Sequence, residues 1–315
     1  MSGVSWQSFY LKTMKNLTLL FLFLSVFAHA QTNRFFYEYK YIPDSTDKAD
    51  VKKEMMLLDI DKNGSQYYSR DKFVADSISK ADLEKQLKSS PGNISINRRE
   101  RPGQVSFKVT KQYPDFKTYL FRNISTDQYK VSENKKPEWK ILPDKEKVGE
   151  YNAQKAITNF GGRQWTAWFS TDIPFQDGPY KFYGLPGLIV KIEDASGSHS
   201  MTLIGNKAIV QASVSEKQAQ LPGNIQIIGM GGKEIEVTKD QFKKAWKAYV
   251  NDPTKNVREM MMNNGGDSNT RTVIKMKTPD GKELSDPNQV FREMEKRTKE
   301  ALKKDNNPIE LDLVK

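Results

Sequence analysis

Short segments in which aromatic or aliphatic residues alternate with polar ones recur along this chain, and they constrain its fold more than any other feature. Between Phe35 and Tyr41 an aromatic residue occupies every second position, the period of a β-strand with one apolar face. Turn residues separate the segments, and Asn63-Gly64 is typical of a hairpin. We predict strands at residues 35–41, 53–60, 66–68, 105–109, 119–121, 126–131, 150–159, 163–170, 188–193 and 200–204.

These segments follow one another with short polar connections, which indicates an antiparallel meander. We expect a β-rich α+β protein, with a curved antiparallel sheet of about eight to eleven strands and helices packed on one face. A first helix is predicted at residues 71–88. A second begins after Thr238, where Gln241 completes a capping box, and a third begins after Asp286 with Pro287 at its first position.

The N-terminal residues are typical of a secretory signal peptide. A basic start at Met14-Lys15 precedes an apolar run over residues 17–27 and the small-residue site Ala28-His29-Ala30, and this is the order found in export signals. We expect Met14 to be the true start, residues 1–13 to be an upstream extension, and cleavage to follow Ala30. No later stretch reaches the roughly 18 consecutive apolar residues of a membrane helix, so we expect no transmembrane span in the mature chain.

The three expected parts of the chain follow from these segments. They are the extension with its signal peptide at 1–30, an antiparallel β domain at 31–235, and a helical and loop part at 236–315 that packs on the same domain.

The chain of 315 residues contains no cysteine and two histidines. The absence of cysteine excludes disulfides, thiolate metal sites and cysteine nucleophiles. Because His29 lies in the predicted signal peptide, His199 is the only histidine expected in the mature chain. We therefore predict no metal site and no cofactor.

The formal net charge is +11, but the basic residues are spread among acidic ones. No alternation of basic and aromatic residues resembles a nucleic-acid platform. We expect a solvated surface and no nucleic-acid partner, with some preference for anionic neighbours such as phospholipid headgroups.

One segment of the chain combines the hexapeptide Gly184-Leu185-Pro186-Gly187-Leu188-Ile189 with the preceding Lys155-Ala156, Gly162-Arg163, Ala167-Trp168 and Gly178-Pro179 steps. With these motifs, residues 146–195 resemble the GLPGLI family of secreted Gram-negative envelope proteins. The aromatic first strand and residues 307–311 are also similar to the family. The resemblance implies a β-rich exported protein of the periplasm or outer-membrane periphery, from a family with no established activity.

The hexapeptide itself suggests a structural corner. It consists of Gly184, Leu185, Pro186, Gly187, Leu188 and Ile189. The glycines and the proline favour a tight bend, and the aliphatic residues would fix that bend in the core. A phosphate-binding turn is the alternative, but such a turn usually precedes a helix, whereas here an alternating strand follows.

Four residues in the same region form our candidate ligand site: Lys155, Arg163, Trp165 and Trp168. Two cations beside aromatic surface would suit a phosphate, carboxylate or sugar acid. The alternative is that the cations snorkel or form ion pairs with acidic residues of the same region. Strand parity alone leaves both interpretations open.

Catalytic patterns are scarce in this sequence. It contains no Gly-x-Ser-x-Gly elbow, and His199 falls at a predicted hairpin where exposure is expected. Asp172 and Asp177 could in principle act as a carboxylate pair on a glycosidic bond. We predict no catalytic residues and expect a non-catalytic binding or carrier protein for a lipid, a peptide or a small anion. The alternatives are an assembly factor for an outer-membrane protein and, as a minor one, an unrecognised hydrolase.

Overall fold

The computed structural model describes residues 31–89, 105–210, 234–264, 276–278 and 280–314. Twelve strands form one sheet, and two further strands, β13 and β14, form a small hairpin. The strands are β1 Gln31–Tyr41, β2 Lys52–Asp61, β3 Gly64–Ser69, β4 Lys108–Gln112, β5 Lys117–Ile124, β6 Asp127–Glu133, β7 Lys140–Val148, β8 Tyr151–Phe160, β9 Arg163–Ser170, β10 Leu188–Asp194, β11 His199–Val210, β12 Glu234–Val237, β13 Met276–Lys277 and β14 Glu283–Leu284. The predicted signal peptide lies outside the described residues.

The large sheet has the order β12-β6-β5-β4-β3-β2-β1-β11-β10-β9-β8-β7. All neighbouring strands in it are antiparallel except β12, which pairs parallel to β6. The expectation of a purely antiparallel, curved sheet of eight to eleven strands is therefore corrected to an open mixed sheet of twelve strands that is neither closed nor strongly curled. The sequence analysis missed β7 and β12. In β7, Pro143 interrupts a run of mostly exposed side chains, so it lacks an apolar alternation, and β12 has only 4 residues.

The two faces of the sheet differ sharply in burial. One row across five adjacent strands, β8, β9, β10, β11 and β1, points to a face that we call the inner face, and each of its residues is at most 3% exposed. These residues are Ala156, Ala167, Ile192, Met201 and Tyr39. Their chain neighbours point to the opposite, partly exposed outer face, because side chains alternate along a strand.

The inner face is covered by the segment between β9 and β10 and by the C-terminal segment. Phe182 is fully buried, with its ring centroid 4.9 Å from that of Trp165 and 5.4 Å from that of Phe160. Ile309 and Leu313 of the C-terminal segment are also buried. Full burial of one such side chain contributes about 1.5–3 kcal/mol, so these two segments form a large part of the core.

In the described ranges, five helices accompany the sheet: α1 Arg70–Ser89, α2 Lys239–Asn251, α3 Lys255–Asn264, α4 Pro287–Lys304 and α5 Leu311–Val314. All three predicted helices are confirmed. Thr238 and Gln241 form both bonds of the capping box, and Asp286 caps α4 through the backbone N–H of Asn288. Phe242 of α2 packs on Tyr129 of the sheet, with ring centroids 5.8 Å apart.

Three methionines lie near the end of α3, where Met262 is 76% exposed. Within the described residues, no helix combines the length and the apolar character needed to cross a membrane.

Candidate functional site

The GLPGLI hexapeptide forms a tight corner against the C-terminal end of β9. Gly184 has φ +92, a conformation that disfavours side chains, and a Cβ on Gly187 would lie 2.1 Å from the backbone oxygen of Ser170. Pro186 is exposed. The three aliphatic side chains are at most 1% exposed: Leu185, Leu188 and Ile189. This geometry fits the structural interpretation of the motif, because the glycines permit the bend and the aliphatic residues fix it in the core.

A buried ion pair holds the segment that leads to this corner. Lys111 on β4 donates to the carboxylate of Asp177 and to the backbone oxygens of Gly178 and Phe182. Tyr113 donates to the other oxygen of the same carboxylate. The side chains of Lys111 and Asp177 are fully buried. Burial lowers the pKa of Lys111, and the Asp177 carboxylate opposes this effect. Local sequence patterns could not predict this pair, because Lys111 is an isolated lysine in an ordinary strand pattern.

This ion pair also bears on the proposed carboxylate pair. Asp177 is fully buried and bound to Lys111, whereas Asp172 is exposed. The two carboxylates therefore do not share an open cleft.

Arg163 acts as a clamp on the C-terminal segment. Its side chain is 6% exposed and forms an ion pair with Asp194 at 3.0 Å. The guanidinium also donates to the side-chain oxygen of Asn307 and to the backbone oxygens of Pro308 and Ile309, at 2.5–3.2 Å. The ion-pair partner of Arg163 is therefore Asp194, and the acidic residues that lie nearer to Arg163 in the sequence do not form an ion pair with it. Its donors are thus used within the protein.

His199 supports the same clamp, and the expectation that it is exposed is wrong. It is 1% exposed, because it begins β11 on the inner face, beneath the C-terminal segment. Nε2 lies 3.0 Å from the backbone oxygen of Asn307, and Nδ1 lies 2.8 Å from the hydroxyl of Tyr39. Since a carbonyl oxygen only accepts, Nε2 carries the proton and Nδ1 accepts from Tyr39. Burial and the nearby Arg163 lower the pKa of His199 from 6.5 to about 4, so the ring is neutral at pH 7.

The Gly161-Gly162 turn between β8 and β9 receives the C-terminal segment. Both glycines have positive φ, +63 and +79, and a Cβ on Gly161 would lie 2.8 Å from Cγ of Glu310. The backbone N–H of Leu311 donates to the oxygen of Gly161 at 2.8 Å. The Gly-Gly pair therefore serves both the hairpin and this close approach. It brings together two segments that the sequence analysis had singled out separately.

A network of charged groups lies beneath this turn. Glu310, 1% exposed, accepts from Lys181 at 2.6 Å, from Tyr180 at 2.5 Å and from Lys239 at 3.1 Å. Lys181 also contacts Glu133 at 3.1 Å. Burial alone would raise the pKa of Glu310, but Lys181 and Lys239 outweigh it, so the pKa is lowered and the group is ionised.

A polar cleft of about 380 Å³ opens above this network. Its lining residues are Glu133, Lys135, Asn159, Phe160, Gly161, Gly162, Arg163, Gln164, Lys239 and Asp312. This volume lies within the range of small-molecule sites. Charges of both signs and two side-chain amides therefore line one depression next to the C-terminal segment.

One atom in the cleft lacks a partner. Oδ2 of Asp312 accepts from Lys239 at 3.1 Å, whereas Oδ1 is buried and has no hydrogen-bond partner. Burial alone would lower the pKa of Lys239, but Glu310 and Asp312 raise it, so Lys239 is a permanent cation. The cleft offers a carboxylate oxygen that can accept, an ammonium group and exposed amides. Among the described residues, no group of three or more histidine, aspartate or glutamate side chains is placed to hold a metal ion.

The four residues of the predicted ligand site are divided between the two faces. Trp165 is fully buried on the inner face, where its Nε1 donates to the backbone oxygen of Phe160 at 3.0 Å. Lys155 and Trp168 meet on the outer face, with Nζ 5.8 Å from the ring centroid. Arg163 lies five positions from Trp168 on β9, about 16 Å along the strand. The structure therefore brings Lys155 and Trp168 together and separates both from Arg163.

Comparison with known proteins gives limited similarity. A family model described as a protein of unknown function (Porph_ging) matches residues 108–191, a range that includes the hexapeptide. The search against curated proteins finds no match. Two solved structures of PNGF-II, in C2 and P21 crystals, are similar at 15% identity with TM-scores of 0.42 and 0.41. They cover 68% of this chain, which spans only 32% and 33% of the PNGF-II chains.

Proposed function

We propose that this chain is a non-catalytic binding protein of the cell envelope, and that its ligand occupies the polar cleft beside the Gly161-Gly162 turn. The observation that carries the proposal is Oδ1 of Asp312, an atom that is shielded from solvent and has no hydrogen-bond partner, on a side chain that is 45% exposed as a whole. An acceptor that has neither solvent nor a partner is unfavourable. A ligand N–H placed against this oxygen would recover part of that cost.

The lining favours a small zwitterionic ligand over a lipid. An ammonium or amide group of the ligand would donate to Asp312, and a carboxylate would accept from Lys135 or Lys239, while Asn159 and Gln164 could bind a peptide unit between them. A short peptide carries all of these groups. An acyl chain would need an apolar site, and the apolar inner face of the sheet is already covered by buried protein side chains such as Phe182 and Ile309.

Export and family membership belong to this proposal. The signal-peptide pattern supports delivery to the periplasm or the outer-membrane periphery. The GLPGLI hexapeptide lies inside the residues matched by the family model, and this supports membership of that envelope family.

The alternative function, assembly of an outer-membrane protein through an exposed strand edge, has less support. The edge strand β7 carries Pro143 and several charged side chains, features that discourage pairing with another strand. The opposite edge strand, β12, is short and contains two glutamates.

The test is a titration of the chain lacking residues 1–30 with triglycine, followed by isothermal calorimetry. We expect saturable binding that Asp312→Asn weakens at least about tenfold, because the amide places an N–H₂ or a weaker acceptor where the carboxylate was. Asp240→Asn, at an exposed position of α2, removes the same charge and should leave the affinity unchanged. The proposal fails if wild-type protein does not bind, or if both variants bind as wild type does.

A further inference from the structure

A lysine–tryptophan–lysine row crosses three strands on the outer face. Lys155 on β8 and Lys191 on β10 are both the register partners of Trp168 on β9. All three side chains therefore point to the outer face, where Trp168 is only 8% exposed between the two partly exposed lysines. With strands about 4.8 Å apart, the two lysine Cα atoms lie about 10 Å from each other with the indole between them.

The charges around this row favour an anionic partner. The same row continues to Glu38 on β1, and the next row carries Glu193, Lys40 and Lys53. Glu38 lies 2.8 Å from Lys40 and 4.0 Å from Lys53. In the part of the chain that the structure describes, Lys155 has no carboxylate within ion-pair distance.

The remaining acidic residue of this patch is also paired. Glu193 lies 3.1 Å from Lys191. These two rows together hold four lysines against two glutamates, so the patch keeps a positive surplus after its internal ion pairs are formed.

An exposed apolar side chain lies further along β11. Ile204, at the bulge where the pairing of β11 with β1 shifts register, is 55% exposed, whereas its chain neighbour Leu203 is buried. Lysine stems beside an indole and an exposed isoleucine form the kind of surface that settles at a membrane boundary, with ammonium groups at the headgroups and apolar parts beneath.

We propose that this outer-face patch, defined by Lys155, Trp168, Lys191 and Ile204, docks on an anionic phospholipid membrane. The lysines bind headgroup phosphates, and Ile204 enters the boundary with the acyl region. A strand face is not concave, so a single small anion could meet only one or two of these lysines, whereas an extended charged surface meets all of them. This inference is independent of the cleft and goes beyond ligand binding, since it gives the exported chain a surface on which to act.

The test is co-sedimentation of the chain lacking residues 1–30 with vesicles at low ionic strength. Vesicles of phosphatidylglycerol and phosphatidylcholine should bind the protein, and vesicles of phosphatidylcholine alone should not. Lys155→Gln combined with Lys191→Gln should lower the partition coefficient at least about tenfold, since each lysine near an anionic surface contributes measurably to binding. Binding should also decrease as salt increases.

The matched control is Lys303→Gln combined with Lys304→Gln, which removes the same charge from exposed positions at the end of α4. The control should bind nearly as the wild type does. Circular dichroism and melting curves establish that both double variants are folded, and Ile204→Asn gives an independent variant that leaves the charge unchanged and should also weaken binding. An equal loss in the control would show attraction by net charge alone. The proposal would be overturned by an equal loss in the control, by binding of the wild type to neutral vesicles, or by no binding of the wild type to anionic vesicles.

Discussion

Replacing Arg163 with alanine should destabilise the protein severely, whereas replacing Lys155 should not. Arg163 is 6% exposed on its side chain and Asp194 is 2% exposed, so the substitution leaves a buried carboxylate without its cation. It also removes the donors to Asn307 and to two backbone oxygens of the C-terminal segment. Breaking a buried pair from one side costs about 3–5 kcal/mol.

The remaining contacts of Asp194 limit this cost. Its carboxylate also accepts from the hydroxyl of Ser196 and from the backbone N–H of His199. These two hydrogen bonds remain in the variant and still stabilise the carboxylate. We therefore expect a loss of about 3 kcal/mol, which corresponds to a fall in Tm of roughly 6–12 °C for a domain of this size. Lys155 is half-buried on the outer face, and its replacement should cost less than about 1 kcal/mol.

The assay is urea unfolding of each variant, monitored by tryptophan fluorescence, because Trp165 lies in the core beneath the clamp. Arg163→Lys separates charge from geometry, since lysine keeps the cation but cannot reach several acceptors at once. A loss below 1 kcal/mol for Arg163→Ala would refute the clamp. If Arg163→Ala instead lost ligand binding while its stability stayed unchanged, the result would support the ligand-binding role that the sequence analysis assigned to Arg163.

Most strands and helices of this fold could be predicted because their signals are local. The alternation near Tyr39 and the capping box at Thr238 depend only on neighbouring residues, and both match the structure. β12 escaped prediction because its pairing with β6 joins residues more than one hundred positions apart. No local pattern in a four-residue strand records such a partner.

The candidate site was predicted less well, for the same reason. The sequence analysis grouped Lys155 with Arg163, Trp165 and Trp168, and of these three residues the structure brings Trp168 to Lys155. Parity could not show that Arg163 faces the core, because its partners Asn307 and Pro308 lie about 145 positions later. A hint existed in the sequence, since Gly161-Gly162 before an arginine gives a tight turn that lets another segment approach. The Gly-Gly turn indicates that some segment approaches the backbone closely there, but it does not identify which segment.

Two further substitutions test the same region. His199→Gln should flatten the pH dependence of stability. Because burial lowers the pKa of His199 to about 4 in the folded protein, the unfolded state binds a proton more readily. The free energy of unfolding of the wild type should therefore fall by up to about 3 kcal/mol from pH 6.5 to 4. Equal slopes in denaturation of wild type and variant would contradict this. Gly161→Ala should cost about 1–3 kcal/mol more than Gly149→Ala. Both glycines have positive φ, +63 and +59, so the backbone strain is shared, but only at Gly161 would the new Cβ meet a neighbour, 2.8 Å from Glu310. Comparing their Tm values therefore isolates the contact with the C-terminal segment, and equal losses would show that this segment does not rest on the turn.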